Sequence, residues 1–359
     1  MSTVTASMPL CETPEPARES MSIAGPKSRK PRVSTAFATW IAAVIIGSIA
    51  SLAAVVAVGF VTGAIMGAQG ANAAQIQARV QEICQQPLPA LLLSLIPFQL
   101  GMIGVVLFAA RRSKEPIKQG LGLVPPTGRV FGGFKLATMA AFTLSTALAS
   151  AILAALVVGP PKTGSPVAAV INNGSWWMIT LVSVLLSVIP ALVEETLFRG
   201  YLQRRFLQRW SPAVAISVTA LLFALMHMDS LQHIIAVVPL AFVNGLLAYR
   251  TNSVKPGMLV HALHNTGAVA FGALATALTP HIGQEAVGLV LLGTIGVLGL
   301  IGLPAFVSLL RGAKPQPAVE THDVETHAAA QVVESVPAPS RELSLPNYLI
   351  DSRLASAAV

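Results

Sequence analysis

The chain has 359 residues, of which 54% are hydrophobic and only 11% charged, where a soluble domain carries roughly a quarter. With a mean hydropathy of +0.70, this excludes a soluble enzyme, a disordered chain and a nucleic-acid binder, despite a net charge of +8. The apolar residues fall in runs of about 20, the length that spans a bilayer as a helix. The fold class expected is all-α: a polytopic transmembrane helix bundle of about eight spans with a buried polar site between helices.

Residues 1–34 are polar, interrupted by Pro14, Pro16, Pro26 and Pro31 and carrying the basic cluster Lys27, Arg29, Lys30 and Arg32. They read as a disordered cytoplasmic tail. The first apolar run starts near Ala36. That is too far from Met1 for the core of a cleavable signal, so it reads as a retained span. Candidate spans follow at 36–66, 88–110, 131–159, 174–198, 212–228, 231–249, 256–277 and 285–310. The transmembrane domain is thus 35–311. Residues 312–359 contain Pro315, Pro317, Pro337 and Pro339, which oppose a long helix, and read as a second disordered cytoplasmic tail. With both termini inside, the outer loops hold only Arg79 and Lys162 of the 23 Lys and Arg residues, as the excess of positive charge on the cytoplasmic side requires. Cys11 and Cys84 fall on opposite sides of the membrane, which argues against a disulfide. There is no convincing internal repeat.

Of 15 acidic residues, only Glu194 and Glu195 continue directly from a long apolar run, LVSVLLSVIPALVEETLFRG. An ionisable group inside a span costs several kcal/mol and is a functional candidate by default. Glu195 and Arg199 are four residues apart and share a helix face, so they can pair. Glu194 lies about 100° around the helix and lacks that partner. A paired Glu195 stays ionised and structural, while a partly desolvated Glu194 suits a general base. The plainer alternative is that the acidic pair marks the water-facing end of a helix. Three further positions bear on the choice. His227 follows Phe223 by four residues, and His261 and Asn265 are four apart on one face, with His264 beside them. Separate helices each deliver a polar group into an apolar background, the pattern of a buried site.

Glu194-Glu195-Thr196-Leu197-Phe198-Arg199 fits EExxxR, Phe223 to His227 fits FxxxH, and His261 to Asn265 fits HxxxN. In that order and spacing, over residues 174–278, the chain resembles the CPBP intramembrane proteases, also called the Abi family, whose eukaryotic members are the type II CAAX prenyl endopeptidases. The resemblance implies peptide-bond hydrolysis within the membrane. Glu194 with His227 would activate a water, His261 and Asn265 would form an oxyanion hole, and Glu195 and Arg199 would hold the first helix in place, with Phe223 in support. No cofactor is implied by a glutamate mechanism. The alternative is Zn²⁺ on Glu194, His227 and His261, since two histidines and a glutamate can ligate zinc with one position open. The absence of HExxH and the poor ligand quality of Asn265 favour the metal-free form.

Two other classes compete with the protease. Intramembrane acids and histidines also build the proton relays of transporters, although here the polar groups cluster between 194 and 265. A non-catalytic scaffold or immunity protein could use the same fold. The expected partners are the lipid bilayer and a peptide or membrane-protein substrate, without nucleic acid. The expected location is a bacterial inner membrane. One tension is built into the eight-span reading: Glu194 and His261 lie toward the cytoplasmic ends of their spans, and His227 toward the far end of its own.

Overall fold

A computed structural model describes residues 32–113, 115–127, 131–159, 166–228 and 230–311. The tails read at 1–34 and 312–359 therefore lie outside the described residues, except that Val33 already opens the first helix. Among the described residues there is no strand. The helices are α1 (Val33–Ala68), α2 (Ala73–Gln85), α3 (Pro87–Arg111), the short α4 (Ile117–Gly120), α5 (Gly133–Val158), α6 (Pro166–Asn173) and α7 (Trp176–Glu195). A wide π-helical segment (Thr196–Gln203) continues α7 into α8 (Arg204–Leu207), followed by α9 (Pro212–Leu225), α10 (Leu231–Thr251) and α11 (Lys255–Leu310). A bilayer leaves no water for backbone groups, so helices are the economical way for these apolar runs to satisfy them.

Six helical runs are long and apolar enough to cross a membrane: Val33–Ala68, Pro87–Arg111, Gly133–Val158, Trp176–Leu207, Leu231–Thr251 and Lys255–Leu310. Each of the eight apolar runs in the sequence is helical, but their count as spans changes in two places. The runs read at 256–277 and 285–310 form one helical stretch broken at Gly283, whose φ of 80° and ψ of 161° are not helical. That φ is open to glycine and strained for other residues. The run read at 212–228 gives α9 of only 14 residues, about 21 Å at 1.5 Å per residue, short of the roughly 30 Å hydrocarbon core. The segment read as the first outer loop contains α2, capped by Asn72, whose side chain accepts from the Gln75 amide.

The core lies where α9 and the π segment meet α1 and α3, with Phe198, Phe206, Phe223, Leu197 and Met102 fully buried. A second layer joins α5, α10 and α11 through Met139, Leu240, Leu247 and Val260. Outer faces of α1 and α5 expose Ile49, Leu52, Phe60, Leu156 and Val157, as lipid-facing surfaces do. Close helix approach depends on small residues, the usual solution in membranes. Gly101 of α3 meets α1 so closely that an added Cβ would lie 2.8 Å from the Gly47 Cα and 3.0 Å from the Ile46 carbonyl oxygen. Backbone atoms cannot swing aside, so Gly101→Ala must push the helices apart. We expect Gly101→Ala to cost about 1–3 kcal/mol, read as a lower thermal midpoint in detergent. Gly104→Ala, where nothing lies within 4 Å, should leave the midpoint unchanged.

Candidate active site

Glu194 and Glu195 end α7, and the helix does not stop there. It widens into the π segment, all eight residues of which are buried, and π turns inside α-helices recur at functional sites. The two carboxylates therefore lie in the interior of a 32-residue helical run and not at a water-facing end; their exposures are 5% and 0%. Arg199 is 1% exposed within the same segment.

Glu195 is held by three donors on one oxygen. Its Oε1 accepts from Arg199 Nη1 at 2.9 Å, Asn244 Nδ2 at 2.9 Å and His261 Nδ1 at 2.9 Å. The sequence reading of a Glu195–Arg199 pair is thus present as a buried ion pair. Arg199 also donates through Nη2 to the Ala241 carbonyl at 2.7 Å. One turn on, Gln203 Nε2 donates to the Gly245 carbonyl at 2.8 Å. Two side chains four residues apart thus read two carbonyls four residues apart, which fixes the π segment against α10. The Phe223 ring fills the space between these groups. It lies 4.7 Å from the Arg199 guanidinium carbon, 4.9 Å from the His227 ring and 5.9 Å from the His261 ring.

Glu194 is differently placed. Its Oε1 accepts from Gln99 Nε2 at 2.8 Å, while its Oε2 is buried without a hydrogen-bond partner. The nearest ring nitrogen given for that oxygen is His261 Nε2, at 3.9 Å. Because the Oε1 of Glu195 already accepts from Arg199 and Asn244, His261 Nδ1 carries a hydrogen and donates it. His227 Nδ1 lies 3.0 Å from the Phe223 carbonyl oxygen, which can only accept, so that nitrogen is also the protonated one and Nε2 keeps its lone pair. His227 is half-buried just past the end of α9, and His233 of α10 faces it at 4.8 Å between rings. His227, just past the end of the short α9, meets the Phe223 ring, and the same ring contacts Phe198 and Arg199.

Asn265 stands one turn beyond His261 but is turned to α7, where its Nδ2 donates to the Leu186 carbonyl at 2.9 Å. His264 faces α5 instead, with Nδ1 2.9 Å from Thr143 Oγ1. Among the described residues no group of three or more His, Cys, Asp or Glu is arranged to hold a metal ion. The trio Glu194, His227 and His261 is not arranged as such a group. Two contributors escaped the sequence reading. Gln99 and Asn244 each stand in an apolar run, LLLSLIPFQLGMIGVVLF and AVVPLAFVNGLLAY. A lone amide in a span also needs a partner, and that signal was available.

Residues 172–267 match the family model of the type II CAAX prenyl endopeptidases, Rce1-like. All three motifs fall inside that stretch, which supports a CAAX-type intramembrane protease in general and, with the apolar helices, a multi-pass membrane protein. Neither the curated proteins nor the solved structures gave a match.

The Glu195 cluster yields a stability prediction. Arg199→Ala leaves a buried carboxylate without its counter-charge, and breaking such a pair costs about 3–5 kcal/mol. Arg199→Lys keeps the charge but has one nitrogen where Arg199 uses two. It should still lose about 1–3 kcal/mol, the cost of an unmet buried acceptor. Thermal unfolding of the purified variants in detergent checks both; a Lys variant as stable as the parent would remove the Ala241 contact from the account.

Proposed function

We infer that the protein is an intramembrane endopeptidase that hydrolyses peptide bonds of membrane-associated peptides or proteins, with Glu194 as the base. The observation that carries this is the contrast between neighbouring carboxylates: Oε2 of each is buried without a hydrogen-bond partner, but Glu195 Oε1 takes three donors, the Arg199 guanidinium among them, whereas Glu194 Oε1 takes only the Gln99 amide. A buried unmet acceptor is costly unless something fills it in use. A water donating to Glu194 Oε2 and to the His227 Nε2 lone pair would be polarised from two sides. Glu194 takes its proton as the water oxygen attacks the substrate carbonyl carbon. The same proton then passes to the leaving nitrogen as the C–N bond breaks.

The tetrahedral oxyanion needs preorganised donors, each worth about 3–4 kcal/mol. His261 and Asn265 supply them. Since His261 Nδ1–H is engaged by Glu195, donation from Nε2 requires the imidazolium form. That charge fits the local balance: two carboxylates, Glu194 and Glu195, against Arg199 and one imidazolium. A zinc-dependent reading on Glu194, His227 and His261 is the alternative. The metal-free form is favoured because no group of three His, Cys, Asp or Glu is arranged to hold a metal ion among the described residues; the Nδ1 contacts of His227 and His261 fit either form, since they leave both Nε2 atoms free.

Three experiments test this reading. Glu194→Gln should abolish cleavage of internally quenched peptides while the protein still inserts and purifies normally; near-parental turnover would reject Glu194 as the base. Asn265→Ala should lower kcat by roughly 10²–10³ with KM little changed. The purified protein should hold no stoichiometric zinc and keep its activity through stringent chelation. One zinc per chain, lost together with activity and restored by zinc, would establish the metal mechanism instead. We further infer a bacterial inner-membrane location with both tails cytoplasmic. Reporter fusions after Arg112, Arg209 and Arg311 should read inside, and those near Arg79 and Lys162 outside.

A further inference from the structure

α7 contains a buried proline, Pro190, one turn before the two carboxylates. A proline within a helix has no N–H, so the carbonyl four residues earlier loses its helical donor. That carbonyl belongs to Leu186, and it is the one that receives Asn265 Nδ2 from α11 at 2.9 Å. The gap left by Pro190 and the bond made by Asn265 are therefore the same acceptor. Beside it, Ser187 Oγ and Thr266 Oγ1 lie 2.7 Å apart. Two adjacent residues of α7 thus meet two adjacent residues of α11, and the helices cannot slide past each other here.

The chemistry of the amide gives this contact a direction. An asparagine side chain has two N–H groups on one atom and a carbonyl oxygen on the other. The Leu186 carbonyl can only accept. It takes one N–H, turns the nitrogen end of the amide toward α7, and opposes the flipped orientation in which Oδ1 would face another carbonyl. The second N–H stays uncommitted, one helical turn from His261, whose Nε2 lies 3.9 Å from Glu194 Oε2.

We propose that Pro190 is a positioning residue for the reaction: by freeing the Leu186 carbonyl it fixes the amide of Asn265 so that the second N–H is presented to the developing oxyanion. The proposal rests on the reading of Asn265 as an oxyanion donor. In a protein without Pro190, the helix reclaims Leu186 through an ordinary N–H four residues on, and Asn265 is released to rotate.

The test uses Pro190→Ala and Pro190→Ser, each of which restores that N–H, with the best-cleaved member of an internally quenched peptide library as probe. Alanine and serine favour a helix over proline, so both variants are expected to fold with parental helix content and gel-filtration behaviour. Each should lose about tenfold or more in kcat, as misorientation of a catalytic group does, with KM within about twofold. In an Asn265→Ala background neither should lower kcat further. A folded Pro190 variant with kcat near the parent, losses that multiply in the double variants, or failure of both variants to fold would overturn the proposal. If Asn265→Ala itself keeps a near-parental kcat, the oxyanion reading falls and the proposal with it. If Asn265→Ala is impaired and the Pro190 variants are not, only the positioning role falls.

Discussion

The buried Oε1 of Glu195 organises the site. One oxygen receives a guanidinium from the π segment, an amide from α10 and an imidazole from α11. A carboxylate in the membrane interior is costly by itself, so its presence requires these donors to be in place at once. The requirement acts on the backbone. The helices carrying Arg199, Asn244 and His261 have one mutual arrangement that satisfies the oxygen, and that arrangement also sets the His261 ring with Nε2 toward Glu194. The buried ion pair and Glu194 are thereby coupled through one imidazole, in the manner of outer partners that fix a histidine tautomer.

Departures from straight helices do the rest of the placing. The π segment keeps Arg199, Gln203 and Tyr201 in the interior, where a regular helix would rotate some of them outward. Tyr201 OH meets Thr39 Oγ1 of α1 at 3.1 Å, and Gly200 fits beneath Leu121, whose carbonyl oxygen would lie 2.6 Å from an added Cβ. The abbreviated α9 ends just before His227, whose ring lies against Phe223. The irregularity at Pro190 leaves the Leu186 carbonyl to be met by Asn265, while Arg199 on Ala241 and His227 on Phe223 add side-chain bonds to carbonyls of α10 and of the end of α9.

Much of this was legible in the sequence where the rule is local. The apolar runs announce helices because their length matches the bilayer, and Glu195 with Arg199 is a neighbour pair on any helix. From the motifs at 194–199, 223–227 and 261–265, Arg199, His227 and His261 meet the Phe223 ring. What was not legible depends on relations between elements. Nothing in TLFRGYLQ distinguishes a π turn from an α turn, so the helix bearing Glu194 was ended at 198 when it continues to Leu207. An apolar run at 212–228 does not reveal that only 14 residues are helical. That His261 binds Glu195 as well as approaching Glu194 is a tertiary fact. Gln99 and Asn244 carry no charge to mark them in their apolar runs, although an amide in hydrocarbon also demands a partner.

Two identical residues in succession can take opposite tasks because a helix turns 100° between them. Glu195 looks into the α10–α11 interface, where donors are abundant. Glu194 looks toward α3, where Gln99 provides a single N–H for one oxygen. Glu195 Oε1 takes three donors and Glu194 Oε1 takes one, while Oε2 of each is buried without a hydrogen-bond partner. Gln99 adds a geometric constraint: its N–H fixes Glu194 Oε1 toward α3. The amide from α3 thus preserves the asymmetry on which a division between structural and reactive carboxylates depends.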